Sequence, residues 1–106
     1  MTNKEYNPKV DAIFKVLEQL KKYFRNEYQE EIEYLYIEHL LRSASIRYLD
    51  FKTCQSQLDK IVATMKKSFP KWHANKYYKQ ENIKKKIMCH LLYNKQYKLI
   101  ALLRKL

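Results

Sequence analysis

Apolar residues recur every three or four positions along most of this chain. Val10, Ile13, Phe14, Leu17, Leu20 and Phe24 repeat at helical spacing. Ahead of them Asn7 suits an N-cap, Pro8 the first helical position and Asp11 the positive end of the helix dipole. The pattern predicts a first helix from Pro8 to Arg25. A second is predicted from Glu27 to Leu49. Its apolar residues (Ile32, Tyr34, Leu35, Tyr36, Ile37, Leu40, Leu41, Ala44, Ile46, Tyr48 and Leu49) point all round the wheel, as in a helix buried at the centre of a bundle. Glu33, Glu38, His39, Arg42 and Arg47 ride on it and need partners or a place at the rim.

After a turn near Asp50 to Thr53, a third helix carries the stripe Leu58, Ile61, Val62, Met65 and Phe69, and Pro70 ends it. Residues 70–81 (PKWHANKYYKQE) have no apolar period. They read as one long connection dense in aromatics and lysine, a kind of segment that often carries function. Asn82 can cap a fourth helix with Ile83, Ile87, Met88, Leu91 and Leu92 as its apolar face. Beyond Asn94 the apolar set moves to Leu99, Leu102, Leu103 and Leu106. That shift predicts a break near Asn94 to Gln96 and a short fifth helix. The expected fold class is all-α: a single domain, 1–106, of about five helices with a buried second helix and a basic amphipathic C-terminal end.

Composition agrees. The chain has no glycine and two prolines, so the tight turns of a sheet lack their usual residue. Phosphate-cradling loops and nucleophile elbows lack theirs too. No apolar run is long enough to span a bilayer. The N-terminus has no apolar signal region, which sets the expectation of a cytoplasmic chain.

Charge divides the sequence. Residues 1–65 hold ten Lys or Arg and ten Asp or Glu, whereas residues 66–106 hold twelve Lys or Arg and one acid, Glu81. The reading is a charge-balanced helical core, 1–69, followed by a basic aromatic loop and amphipathic helices, 70–106. Basic residues mixed with aromatic and aliphatic ones suit an anionic partner with an apolar component, and a membrane surface fits better than a duplex. The residues expected to touch it are Lys71, Trp72, Lys76, Tyr77, Tyr78, Lys79, Lys84, Lys85, Lys86, Lys95, Lys98, Arg104 and Lys105. Trp and Tyr favour the headgroup level. The excess of Lys over Arg, and the lack of a helix-turn-helix spacing, weigh against nucleic acid.

Chemistry-bearing groups give no catalytic expectation. Of the three histidines, His39, His73 and His90, His39 lies on the buried helix and His90 on the apolar face of the fourth. Neither of these two has a carboxylate or thiol at helical spacing on a metal-binding face, and they read as rim or satisfied histidines. Glu27, Glu30, Glu31, Glu33 and Glu38 read as a solvated helix start complementing the dipole. Asp50 has no second Asp for a metal–diphosphate motif. Ser43 and Ser45 lie mid-helix without an oxyanion hole and, with Ala44, allow close packing. Cys54 and Cys89 form no CxxC pair and read as reduced thiols. No catalytic residue, metal site or cofactor is expected.

Two stretches carry a resemblance. Glu30 to Phe51 (EEIEYLYIEHLLRSASIRYLDF) and Met65 to Lys105 (MKKSFPKWHANKYYKQENIKKKIMCHLLYNKQYKLIALLRK) resemble the C-terminal helical extension of bacterial family-2 glycosyltransferases, which build cell-surface glycans. The nucleotide-sugar site of that family lies in an N-terminal glycine-containing α/β domain with an acidic metal motif, and this chain has neither. The resemblance implies a non-catalytic accessory portion, cut from a longer enzyme or standing alone. Its implied partners are a parent catalytic domain and an anionic membrane surface or polyprenyl-linked acceptor. Its implied place is the inner face of the cell membrane. A stand-alone module binding an acidic protein or nucleic acid, or an oligomerisation module, is the alternative.

Overall fold

The computed structural model describes residues 8–50 and 55–104, and every regular element among them is helical. Asn7, residues 51–54, where a turn is expected and where Cys54 lies, and Lys105 and Leu106 are outside the described residues.

Pro8–Asp11 form a 3-10 turn that leads into α1, Ala12–Tyr23. This helix stops two residues earlier than the apolar period suggests. Phe24 leaves helical geometry while its N–H still bonds the Leu20 carbonyl at 3.1 Å. The next helix cannot begin until Tyr28, held in the left-handed region at φ 55°. Glycine usually fills such a position. Here Tyr28 packs edge-on against Phe24 at 5.3 Å between ring centres.

The expected second helix is a continuous rod made of α2, Gln29–Leu35, a π-type middle, Tyr36–Ala44, and α3, Ser45–Asp50. Ile32, Tyr36, Ile37, Leu40, Leu41, Ala44 and Tyr48 on it are buried. It touches α1, α4 (Gln55–Ser68) and α6 (Ile83–Tyr93), which makes it the centre of the bundle. The small residues do what their size allows: Ala44 and Ser45 are buried. Tyr48 hydrogen-bonds Asp11, tying the far end of the rod to the start of α1. All five residues of the α4 stripe, Leu58 to Phe69, are buried, and the helix ends just before Pro70.

Residues 70–81 are more ordered than a connection. Trp72–Ala74 make a 3-10 turn and Lys76–Lys79 a single helical turn, α5. The core also crosses the charge boundary, because Trp72, Tyr78, Met88, Cys89, Leu92 and Ile100 join the residues of the first three helices.

Asn82 caps α6 by accepting from the Lys85 N–H at 2.9 Å. The helix buries Met88, Cys89 and Leu92 rather than the whole predicted face. Ile83 and Ile87 lie on the opposite side and are exposed. α7, Tyr97–Arg104, is also turned from its predicted orientation: Ile100 is its buried residue, Leu103 is half-buried, and Leu99 and Leu102 face solvent.

Candidate anionic-surface site

The C-terminal part of the bundle is built around Asn75. Its side chain is 1% exposed and fully used. The amide nitrogen donates to the Glu30 carbonyl at 2.8 Å and the Glu33 carboxylate at 2.9 Å. The amide oxygen accepts from the N–H groups of Tyr77 and Tyr78 at 2.9 and 3.1 Å, capping α5. The Lys76 N–H donates to Glu30 at 2.8 Å and the Tyr77 hydroxyl to Glu31 at 2.7 Å. The acidic cluster is therefore not simply a solvated helix start. Glu30, Glu31 and Glu33 receive the N-terminus of α5, while Glu27 stays exposed. The Tyr77 hydroxyl holds the Glu31 carboxyl below its ordinary range.

The expected interfacial aromatics are the main correction. Trp72 is 1% exposed and Tyr78 is buried. Trp72 lies 5.1 Å from the Tyr78 ring and 5.3 Å from the Tyr93 ring, and packs edge-on or tilted against each. Tyr78 donates to the Lys86 carbonyl at 3.0 Å, and burial pushes its phenol up. Tyr77 is half-buried and committed to Glu31. None of the three side chains presents a free face to a headgroup layer, because packing against α2 and α6 offers more apolar burial than the surface does.

The basic residues fall into two sets. Lys85 pairs with Glu81 at 3.2 Å, Lys95 with Asp59 at 3.0 Å and Arg104 with Asp50 at 3.1 Å. Lys76 lies over the Tyr77 ring at 5.1 Å. Lys71, Lys79, Lys84 and Lys98 are exposed with no ion-pair partner among the described residues, and Lys86 is half-buried. Lys105 lies outside the described residues.

Next to this charge lies the apolar surface that the predicted helix faces had assigned to the core. Ile83 is 71% exposed and Leu102 61%, and Ile87 and Leu99 join them. On a helical wheel Ile83, Ile87 and His90 share the outer side of α6, flanked by Lys84 and Lys86. Leu99, Leu102 and Lys98 share the outer side of α7 by the same spacing.

Cys89 is buried, and desolvation pushes its thiol up to about 12, which disfavours the thiolate at neutral pH. Among the described residues no group of three or more His, Cys, Asp or Glu is placed to hold a metal ion. An open cleft of about 400 Å³ between α1 and the rod is lined by Val16, His39 and Arg47 among others. His39 and Ser43 both line it, one helical turn apart, but no hydrogen bond joins them. No described helix is long and apolar enough to cross a membrane.

Sequence spacing hid one juxtaposition. His73, in the 3-10 turn, and His90, on α6, are both exposed and lie 6.4 Å apart between ring centres. Partial burial and the neighbouring His73 hold His90 below the ordinary histidine range. No protein-family model, curated protein or solved structure matches the chain.

Proposed function

We propose that this chain is a non-catalytic helical module that docks on an anionic membrane surface through the outer faces of α6 and α7. One observation carries the reading: Ile83, Ile87, Leu99 and Leu102 are exposed beside the exposed cations Lys84 and Lys98. Each lysine near an anionic leaflet contributes about 1 kcal/mol, and exposed isoleucine and leucine side chains add apolar insertion. The resemblance to a glycosyltransferase extension supports a larger assignment within the same proposal. The module would hold a catalytic domain at the inner leaflet, near a polyprenyl-linked acceptor.

Co-sedimentation with phosphatidylglycerol vesicles tests the docking. The intact chain binds at low salt, and Ile83→Gln with Leu102→Gln weakens binding while leaving the fold unchanged. At 1 M salt the Debye length falls to about 3 Å, so the lysine contribution is lost and the apolar part is retained. No binding at low salt removes the membrane role. Tighter binding to duplex DNA, or to an acidic protein, than to vesicles replaces it with the corresponding interaction module.

A further inference from the structure

We propose that His73 and His90 together form a two-imidazole site for a divalent transition-metal ion, closed on one side by Trp72. The argument starts from reach. An imidazole nitrogen lies about 1.2 Å from its ring centre and a metal–nitrogen bond is about 2.1 Å long. Two rings on one ion therefore have centres between about 4.7 Å apart, at right angles, and about 6.6 Å apart, in line. The observed 6.4 Å lies near the in-line end of that window, an N–metal–N angle of about 150° for such bonds.

Rigid supports hold both rings. His90 belongs to α6, which is anchored by buried Met88, Cys89 and Leu92. His73 is fixed from both sides in sequence, by buried Trp72 before it and by the fully bonded Asn75 after it. Ligands preset on separate rigid elements lose little entropy on binding. Trp72 touches both, at 5.9 Å from the His73 ring and 5.0 Å from the His90 ring. It shields one side of the pair while the exposed side stays open to water and a further ligand. Two imidazoles in this nearly opposed arrangement with open positions suit nickel or copper rather than tetrahedral zinc, and not magnesium or calcium, which need oxygen ligands.

The chain holds one tryptophan, so its fluorescence reports this place alone. Ni²⁺ is the probe, since it does not oxidise the thiols. The titration runs on the intact chain at pH 8, where imidazole is free to ligate. Wild type is expected to show saturable one-site quenching of Trp72 and a rise in Tm with added Ni²⁺. His73→Asn and His90→Asn each weaken the quenching about tenfold or more and abolish the Tm rise. His39→Asn, an exposed histidine on the rod, leaves both unchanged. Circular dichroism confirms that each variant is folded. Equal quenching in wild type and the two site variants, or no saturable quenching in folded wild type, overturns the site.

Discussion

Tyr34 on the central rod donates a 2.5 Å hydrogen bond to Glu81, the single acid of residues 66–106. The bond fastens the basic end of the chain to its neutral core. It pushes the Tyr34 phenol up to about 12 and holds the Glu81 carboxyl below its usual range. A hydrogen bond to a charged group contributes about 1.5–3 kcal/mol, and partial exposure here places it at the low end. Tyr34→Phe is expected to lower the unfolding free energy by about 1–2 kcal/mol in urea titration. Glu81→Gln should cost a similar amount. Glu81→Gln also loses the Lys85 pair, but the two changes share the Tyr34–Glu81 bond, so the double variant should lose clearly less than the sum of the singles.

Acid should loosen the same region. Glu31 and Glu81 are depressed chiefly by tyrosine hydroxyls, and Asp59 chiefly by Lys95. Folded values below the unfolded ones mean that the unfolded chain binds protons first as pH falls. Their stabilisation is therefore complete above the ordinary carboxyl range near 4 and is lost as pH drops through the folded values. Tm should be flat across this effect from pH 7 to about 5 and fall below about 4.5. Tyr77→Phe with Tyr34→Phe should flatten that fall. An unchanged slope in the double variant would assign acid sensitivity to other groups.

Local signals were legible before the fold was. Pro70 stops α4, Asn82 caps α6, and the break at Asn94 lies where the apolar period shifts. The α4 stripe is the buried stripe because one face alone carries its large aliphatics. Tertiary choices were not legible. α6 has apolar residues on two sides, and only the presence of the rod decides that Met88 and Leu92 go in and Ile83 and Ile87 stay out. Trp72 and Tyr78 look like interfacial aromatics from composition, yet a slot beside α6 takes both. Asn75 is of a capping residue type, but its bonds to Glu30 and Glu33 join segments far apart in sequence. The proximity of His73 and His90 has the same origin.

The turn after α6 offers a stabilising substitution. The Gln96 N–H bonds the Leu91 carbonyl at 2.9 Å and the Lys95 N–H bonds the Leu92 carbonyl at 3.2 Å, a complete Schellman motif. Lys95 occupies its left-handed position at φ 58°, where glycine is the usual residue. A side chain there costs about 1–2 kcal/mol. Lys95→Gly removes that cost, but it also removes the half-exposed, solvent-screened pair with Asp59 and adds unfolded-state entropy. The net expectation is a gain of about 0–1 kcal/mol and a raised Tm. Lys95→Val, β-branched at positive φ, should be clearly destabilised. Reversal of that order would mean the left-handed turn is not kept in solution.

The two faces of the C-terminal region can be separated by moving the indole. Trp72 is buried against Tyr78, Tyr93 and His90. Its emission should be that of an enclosed ring and should not change when phosphatidylglycerol vesicles are added. Ile83, on the outer side of α6, is exposed. Trp72→Phe keeps an aromatic ring in the slot, and Ile83→Trp in that background places the only indole on the proposed docking face. Its emission should begin red-shifted in water and move to the blue as the ring leaves water for the lipid interface. The same probe at Lys60, on the exposed side of α4, should stay unchanged. A blue shift at position 83 alone assigns docking to α6. Equal shifts at 83 and 60 mean that the chain lies on vesicles without a preferred face. A shift of native Trp72 means that the aromatic cluster opens on contact, which its packing between α5 and α6 opposes.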